Sequence, residues 1–230
     1  MVQAKPLVDE QYLRFLMEMI TEERLRKFRE VLDKRTRYFT IVLEDIFQAQ
    51  NASAVLRTCD LTGIQDVHII ENKYSFEIHP DIVLGSSKWL DIFRYKTQEN
   101  NTLTALNHLR EAGYKLVATS PKPGGYLLHE LPIDKPLALM FGTEKKGLSD
   151  MAYDMADYSV TIPMVGFTES FNISVSAALV LFNLSNRLRD SELPWMLNEN
   201  DRNSIMLDWC RKSLKQIKII ERNYFKQHPH

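Results

Sequence analysis

The pattern of apolar and polar positions changes near residue 37. Before it, apolar side chains recur at spacings of three and four residues, which predicts one or two amphipathic helices over residues 8–35. After it, short apolar runs rich in β-branched residues predict strands. The predicted strands are residues 39–43, 67–70, 92–95, 115–119, 137–141 and 158–162.

Helical patterns lie between these strands, at residues 52–62, 103–112, 149–156 and 173–188. Strands that alternate with helices predict an α/β fold with a parallel sheet. A last helix is predicted over residues 203–222. Its apolar side has to pack on another surface, either the N-terminal helices or a second subunit.

Length and composition place the chain among globular proteins. It has 230 residues, of which 44% are hydrophobic and 26% charged, so it can bury a core in one large domain or two small ones. No apolar run approaches the roughly 20 residues that span a bilayer, and the N-terminus lacks the apolar core of a signal peptide. Cys59 and Cys210 lie far apart, which suits a reducing compartment, so we expect a cytoplasmic protein.

The net charge of −1 hides two basic segments. Residues 24–37 and residues 202–226 each carry a net charge of +5, which leaves about −11 for the rest of the chain. Basic ends of this kind could hold a phosphate backbone. Solvated lysine and arginine faces of ordinary helices explain the charge equally well.

The common nucleotide and metal signatures do not occur in the sequence. No two glycines have Gly-x-Gly spacing, and there is no Gly-Lys-Ser/Thr phosphate loop. The six histidines form no HExxH pair and do not cluster with cysteines at zinc spacing. We therefore expect neither an ordinary dinucleotide fold nor a metal site.

The first of three polar segments begins at Asn51, which we expect to cap a helix that ends at Gly63. A buried stripe at positions 52, 55, 56 and 59 of that helix leaves Arg57 on the outer face. The ordinary alternative is a surface arginine that pairs with Asp60, three residues further on.

The second polar segment follows the predicted strand 137–141, where a glycine turn brings Glu144 to the carboxyl end of the strand. Ser149 then caps the next helix. Glu144 could instead be a loop acid that Lys145 and Lys146 balance. Because open α/β sheets bind ligands at the carboxyl ends of their strands, this segment is a candidate ligand site.

The third polar segment, residues 162–174, contains a rigid Pro-Met-x-Gly loop followed by Ser170, Asn172 and Ser174. Each of these three residues can cap the helix that follows, but a helix needs only one such cap. The surplus makes this segment a second candidate ligand site.

The three segments resemble the three motifs of the SpoU/TrmH methyltransferases, which belong to the SPOUT superfamily. The residues that carry the resemblance are Asn51-x-Ser-Ala-x-x-Arg57-Thr, Phe141-Gly-Thr-Glu144-x-x-Gly147 and Ile162-Pro-Met-x-Gly-x-x-x-Ser170-x-Asn172-x-Ser174. Their order and spacing match the family from about residue 25 to residue 188. Phe171 and Ile173 stand where leucine and valine are frequent, and both positions stay apolar.

This resemblance implies an α/β fold with a parallel sheet and a deep trefoil knot at its C-terminal end. It implies a catalytic domain at residues 38–188 and helical, RNA-binding extensions at residues 1–37 and 189–230. Relatives are homodimers, so we expect a dimer in which Arg57 of one subunit serves the site of the other. The basic residues expected to bind RNA phosphates are Arg24, Lys27, Arg35, Arg211 and Lys215.

The resemblance also implies S-adenosylmethionine as the cofactor and a ribose 2′-hydroxyl of RNA as the methyl acceptor. The expected cofactor contacts are Thr119, Gly142, Ile162, Met164 and Phe171. Arg57 is the expected catalytic residue. Because a guanidinium is a poor general base, its expected roles are to clamp the substrate phosphate and to stabilise the alkoxide. The residues expected to support it in the site are Asn51, Glu144, Ser170 and Asn172.

The helical extensions and the lack of a separate RNA-binding domain favour guanosine 18 in the tRNA D-loop as the acceptor. Similar motifs serve enzymes that modify the tRNA wobble nucleotide or ribosomal RNA, so these substrates stay open. Two other classes also stay open. One is an RNA-binding or assembly factor without activity, and the other is a small-molecule enzyme whose basic ends mediate oligomer contacts.

Overall fold

The computed structural model describes residues 8–120, 124–144 and 146–228. Contacts between residues divide the chain into two compact units. Among the described residues, the larger unit is Thr36–Met196, and the smaller unit is formed by residues 8–35 and 197–228.

The described residues contain nine α-helices and seven strands. The helices are α1 (Glu10–Glu18), α2 (Glu22–Leu32), α3 (Ala49–Thr62), α4 (Pro80–Val83), α5 (Asn101–Glu111), α6 (Asp150–Asp154), α7 (Ile173–Arg189), α8 (Glu199–Ser213) and α9 (Ile217–Gln227). The strands are β1 (Phe39–Glu44), β2 (Asp66–Ile70), β3 (Asp91–Tyr95), β4 (Lys115–Thr119), β5 (Tyr126–Leu127), β6 (Leu137–Phe141) and β7 (Tyr158–Thr161).

The strands of the larger unit form one parallel sheet in the order β3-β2-β1-β6-β4-β7-β5. The parallel α/β fold predicted from the alternating pattern is therefore confirmed. Central strands β1 and β6 are buried along their whole length, and Leu43 pairs with Phe141 at their carboxyl ends. Strands that are buried on both faces read as unbroken apolar runs, which is why the sequence pattern reveals these two so clearly.

Helices cover both faces of this sheet. Ile41 and Leu43 of β1 lie in a core cluster with Val55 of α3 and the apolar side of α7. Val42, which alternates with them along the strand, lies in a second cluster with Leu106 of α5. The sheet is thus a buried layer between α3 and α7 on one side and α5 and α6 on the other.

Some predicted element ends are wrong. Because α3 begins at Ala49 with Gln48 at the N-cap position, Asn51 lies inside the first turn and does not cap the helix. Gly63 ends α3 in the left-handed conformation, at φ 84°, as predicted. The predicted last helix is broken into α8 and α9 at Gln216, whose φ is 57°, although no glycine or proline occurs there. Helix α4 and strand β5 lie where the pattern predicts no element.

In the smaller unit, α1 and α2 pack against α8. Trp209 of α8 is fully buried, and its ring lies 5.4 Å from that of Phe28 on α2. The ring of Tyr12 lies 5.0 Å from that of Tyr224 on α9, and its hydroxyl donates to Glu221 at 2.9 Å. The N-terminal helices are therefore the surface on which the apolar side of α8 packs. No helix within the described ranges has the length and apolar character needed to cross a bilayer.

Candidate cofactor and active site

The carboxyl ends of three adjacent strands, β4, β6 and β7, surround a cavity of about 440 Å³. Thr119 ends β4, Phe141 ends β6 and Ile162 follows β7, and all three line the cavity. Residues of the loops after β6 and β7 complete the lining. The cavity therefore lies where open α/β sheets bind their ligands, and its volume suits a small molecule.

The loop after β6 is closed by its own backbone. Thr143 N donates to Gly147 O at 2.9 Å, and Gly147 N donates to Thr143 O at 2.8 Å. A Cβ on Gly142 would lie 2.1 Å from the carbonyl group of Gly147, so only glycine fits at position 142. Without a side chain at this position, the backbone of the loop can approach a ligand closely.

A chain of hydrogen bonds joins the three sequence motifs. Asn51 of α3 donates through Nδ2 to the Glu144 carboxylate and accepts at Oδ1 from Asn172 Nδ2 at 3.2 Å. These partners are separated by 93 and 121 residues in the sequence. Asn51 is buried, whereas Glu144 and Asn172 are exposed at the surface. The structure thus brings three of the predicted catalytic residues together.

The polar residues before α7 have separate positions. Asn172 occupies the N-cap of α7 and accepts at Oδ1 from the backbone N of Ser174 at 2.9 Å. The Ser174 hydroxyl donates to the same oxygen at 2.6 Å. Ser170 lies in the lining of the cavity. Asn172 is therefore the cap, which leaves Ser170 available to a ligand.

A buried acid anchors the far end of the loop after β6. Glu44, at the end of β1, accepts from the backbone N and the hydroxyl of Ser149 at 2.8 and 2.7 Å. It also accepts from the hydroxyl of Thr102 on α5 at 2.7 Å. Ser149 caps α6, as predicted. Sequence reasoning missed Glu44. An acid at the end of an apolar strand could have indicated a buried polar contact at this position.

Arg57 lies on the exposed side of α3, as the buried stripe of that helix predicts. It does not line the cavity of its own chain. No hydrogen bond or ion pair holds its side chain among residues 8–120, 124–144 and 146–228, so the alternative pairing with Asp60 is not formed. The other alternative is a Glu144 that Lys145 and Lys146 balance. The Glu144 carboxylate accepts from Asn51, and Lys145 lies outside the described residues.

The cavity is lined by all five residues predicted to contact a cofactor, namely Thr119, Gly142, Ile162, Met164 and Phe171. The Thr119 hydroxyl is already used, because it donates to the carbonyl of Met140 at 2.8 Å. Ile162, Met164 and Phe171 form an apolar rim that could cover a flat ring. Asp150 and Tyr153 also line the cavity and were missed by sequence reasoning.

Four of the predicted RNA-binding residues are exposed in the smaller unit, and they are Arg24, Lys27, Arg211 and Lys215. Lys27 lies 3.8 Å from Glu30 on the same helix. Arg211 forms an ion pair with Glu221 at 2.7 Å. An exposed ion pair such as Lys27–Glu30 exchanges readily for contacts with another anion, because it contributes little to stability.

The prediction for Arg35 is wrong. Its side chain belongs to the smaller unit and is only 1% exposed. The guanidinium lies over the ring of Trp209, 5.6 Å from the ring centroid. Arg35 is therefore part of the packing of this unit and cannot reach a phosphate backbone.

The fold and the cavity define an α/β protein of the class that binds a small molecule across the carboxyl ends of parallel strands. The hydrogen-bonded polar residues beside the cavity can position a second reactant. In the described part of the chain, no group of three or more His, Cys, Asp and Glu side chains could hold a metal ion.

Comparison with known proteins identifies the family within this class. Residues 38–182 match the SpoU rRNA Methylase family. The chain is 44% identical over 206 residues to the tRNA (guanosine(18)-2'-O)-methyltransferase of Borreliella burgdorferi, a match that covers 90% of this chain and 93% of that relative. This chain therefore belongs to the SpoU methylase family.

Solved structures agree with this assignment. The A. aeolicus TrmH/SpoU tRNA modifying enzyme has a TM-score of 0.75 and 27% identity to this chain, over 85% of this chain and 98% of its own. The SpoU methyltransferase AviRb from Streptomyces viridochromogenes, solved in complex with the cofactor AdoMet, has a TM-score of 0.58 over 71% of this chain and 62% of its own. At 21% identity, this second likeness concerns the fold alone.

Proposed function

We propose that this chain transfers a methyl group from S-adenosylmethionine to the ribose 2′-hydroxyl of guanosine 18 in tRNA. The observation that carries the proposal is the hydrogen-bonded chain of Asn51, Glu144 and Asn172, which joins the three motifs beside the cavity. The choice of nucleotide follows the relative from Borreliella burgdorferi, which is named for this activity.

The cavity fits S-adenosylmethionine. Its volume of about 440 Å³ is that of a small-ligand site. Ile162, Met164 and Phe171 would cover the faces of the adenine ring, whereas the backbone of the Gly142 loop would bind its polar edge. When bound, S-adenosylmethionine supplies a methyl group that is already activated by a positively charged sulfur.

Arg57 is the central catalytic residue in this proposal. The transfer breaks the bond between sulfur and methyl, forms the bond between methyl and the acceptor oxygen, and releases the hydroxyl proton to solvent. The enzyme therefore has to align the acceptor oxygen with the methyl group and to stabilise the charge that develops on that oxygen. A guanidinium is a poor base but binds phosphate oxygens through two parallel hydrogen bonds, so Arg57 clamps the RNA phosphate and stabilises the alkoxide. Glu144 and Ser170, which both line the cavity, position the ribose. Asn51 holds Glu144 in place, and Asn172 in turn holds Asn51.

A homodimer completes the site. Arg57 does not line the cavity of its own chain, so it would serve the cavity of a second copy. An apolar stripe on α7 supports this arrangement, because Val175, Leu179 and Phe182 recur at helical spacing and are 44%, 41% and 67% exposed. Leu61 of α3, the helix that packs against α7, is exposed as well. A second copy would bury these side chains.

The terminal segments would bind the RNA. We assign this role to residues 1–37 and 189–230, where Arg24, Lys27, Arg211 and Lys215 are available to phosphates. Residues 38–188 would form the catalytic domain with a deep trefoil knot.

The test is the transfer of labelled methyl groups from S-adenosylmethionine to unmodified tRNA transcripts and to ribosomal RNA. We expect wild type to label tRNA and Arg57→Ala to do so at least about 100-fold more slowly, as expected when a charge-stabilising group is lost. Lys135→Ala is the matched control. Lys135 is exposed and lies before the amino end of β6, whereas the cavity lies at the carboxyl end of that strand.

Two results would contradict parts of the proposal. Label on ribosomal RNA but not on tRNA would show that the substrate is wrong while the reaction is right. If no RNA accepts label, the proposed activity is wrong.

A further inference from the structure

Two aromatic rings stand exposed beside the start of α3. Phe47 is 67% exposed and Tyr74 is 42% exposed. Their ring centroids lie 5.0 Å apart with an interplanar angle of 64°, so they contact each other edge to face. Neither ring lines the cavity.

A single buried carboxylate holds the two aromatic segments together. Asp45 comes directly after β1 and two residues before Phe47, in the left-handed conformation with φ 53°. Its Oδ1 accepts from the backbone N of Asn72 at 2.7 Å, of Lys73 at 2.8 Å and of Tyr74 at 3.5 Å. The backbones that carry both rings are therefore fixed before any ligand arrives.

The aromatic pair is connected to the proposed active site through the first turn of α3. Phe47 is followed by Gln48, whose Oε1 accepts from Asn51 Nδ2 at 3.1 Å. The same Nδ2 donates to Glu144, which lines the cavity. The contacts of Gln48 with Asn51 and of Asn51 with Glu144 thus connect the residue next to Phe47 to the cavity.

The chemistry around the pair favours a nucleic-acid base over another ligand. Lys73, next to Tyr74, is exposed and adds positive charge. Proteins that recognise folded RNA stack splayed bases on aromatic side chains and hold the neighbouring phosphates with cations. The contacts from Gln48 through Asn51 to Glu144 connect such a surface to the cavity at which the acceptor ribose would bind.

We propose that Phe47 and Tyr74 form a stacking surface for an unpaired base next to the methylated nucleotide. This inference rests on the proposed function, because it assumes that an RNA loop enters the cavity. Stacking on a ring needs no particular base, so the pair binds and orients the loop rather than selecting its sequence.

The experiment compares Phe47→Leu, Tyr74→Leu and the double variant with Phe47→Trp, which keeps an aromatic face. We expect KM for an unmodified tRNA transcript to rise roughly tenfold in each leucine variant, as for the loss of one stacked base, and to stay within twofold in Phe47→Trp. The Kd for S-adenosylmethionine and the Tm should stay unchanged, because both rings are exposed and neither lines the cavity.

A fluorescent base gives a direct readout of stacking. Transcripts carry 2-aminopurine immediately before or after guanosine 18, and wild type should quench one of them on binding. The leucine variants should not quench it at saturating protein. A role in folding alone would not change this signal in a fully bound complex.

Three results would overturn the inference. In the first, the double variant methylates tRNA and has the same quenching and the same KM as wild type. This result would overturn the stacking surface but leave the proposed function intact. The second is a fall in the dimer fraction of the leucine variants in sedimentation, which would make the pair a contact between subunits. In the third, the wild-type protein methylates no RNA, and its Kd for tRNA equals that of the double variant. Both proposals would then fail.

Discussion

Gly142→Ala tests how the cavity is built. The added Cβ would lie 2.1 Å from the carbonyl carbon and oxygen of Gly147 and 2.2 Å from the backbone N of Leu148. These neighbours are backbone atoms, so no side-chain rotation can make room. The loop would have to move by about 1 Å or more to restore ordinary contact distances.

The size of the effect follows from what the movement breaks. It would separate Thr143 from Gly147, which exchange two backbone hydrogen bonds. At about 0.5–1.5 kcal/mol each, their loss lowers the free energy of unfolding by about 1–3 kcal/mol. For a domain of this size, that corresponds to a Tm roughly 2–12 °C lower. Binding suffers more, because a displacement of about 1 Å in a positioned site can cost on the order of 100-fold.

The assay measures the Kd for S-adenosylmethionine by calorimetry and the Tm by thermal unfolding. Gly166→Ala is the matched control, because a Cβ on Gly166, in the loop after β7, meets no atom closer than 4.0 Å. We expect Gly166→Ala to resemble wild type in both measurements. Wild-type binding by Gly142→Ala would refute the conclusion that the backbone of this loop shapes the cofactor site.

Two further predictions concern charge. Hydrogen bonds from Arg94 hold the pKa of the Glu71 carboxyl below its ordinary value of 4.5, although burial opposes them, and the Phe76 N–H adds to the lowering. This stabilisation is complete above about pH 4.5 and is lost as the pH falls through the lowered pKa, so Glu71→Gln should lower the Tm at pH 7, and the difference from wild type should shrink as the pH falls below 4.5. A Tm difference that does not shrink as the pH is lowered would contradict this assignment. For RNA binding, log Kd for tRNA should rise linearly with log salt, and the Arg24→Ala and Lys215→Ala double variant should reduce the slope by about 1–2 in filter binding. An unchanged slope would remove both residues from the RNA contact.

Much of the fold could be predicted from local patterns. The unbroken apolar runs of β1 and β6 reflect burial on both faces of the sheet, and Gly63 is needed where α3 ends in the left-handed conformation. The break at Gln216 could not be predicted, because neither glycine nor proline marks it.

The candidate site shows why the remaining details depend on tertiary structure. Asn51 looks like a helix cap in the sequence, yet its side chain bonds to Glu144 and Asn172, and a local pattern does not contain such distant partners. Arg35 looks like one more cation in a basic segment, but packing places it over Trp209 in the smaller unit. Spacing can therefore identify which residues belong to a site, whereas their partners follow from the fold.

The most direct test of the account replaces guanosine 18 of a tRNA transcript by 2′-deoxyguanosine. This change removes only the hydroxyl that is proposed to accept the methyl group. The account predicts that the ordinary transcript gains about one labelled methyl per molecule, that digestion and mass spectrometry place it on the ribose of guanosine 18, and that the deoxy transcript gains none. Equal labelling of the two transcripts would contradict the central claim.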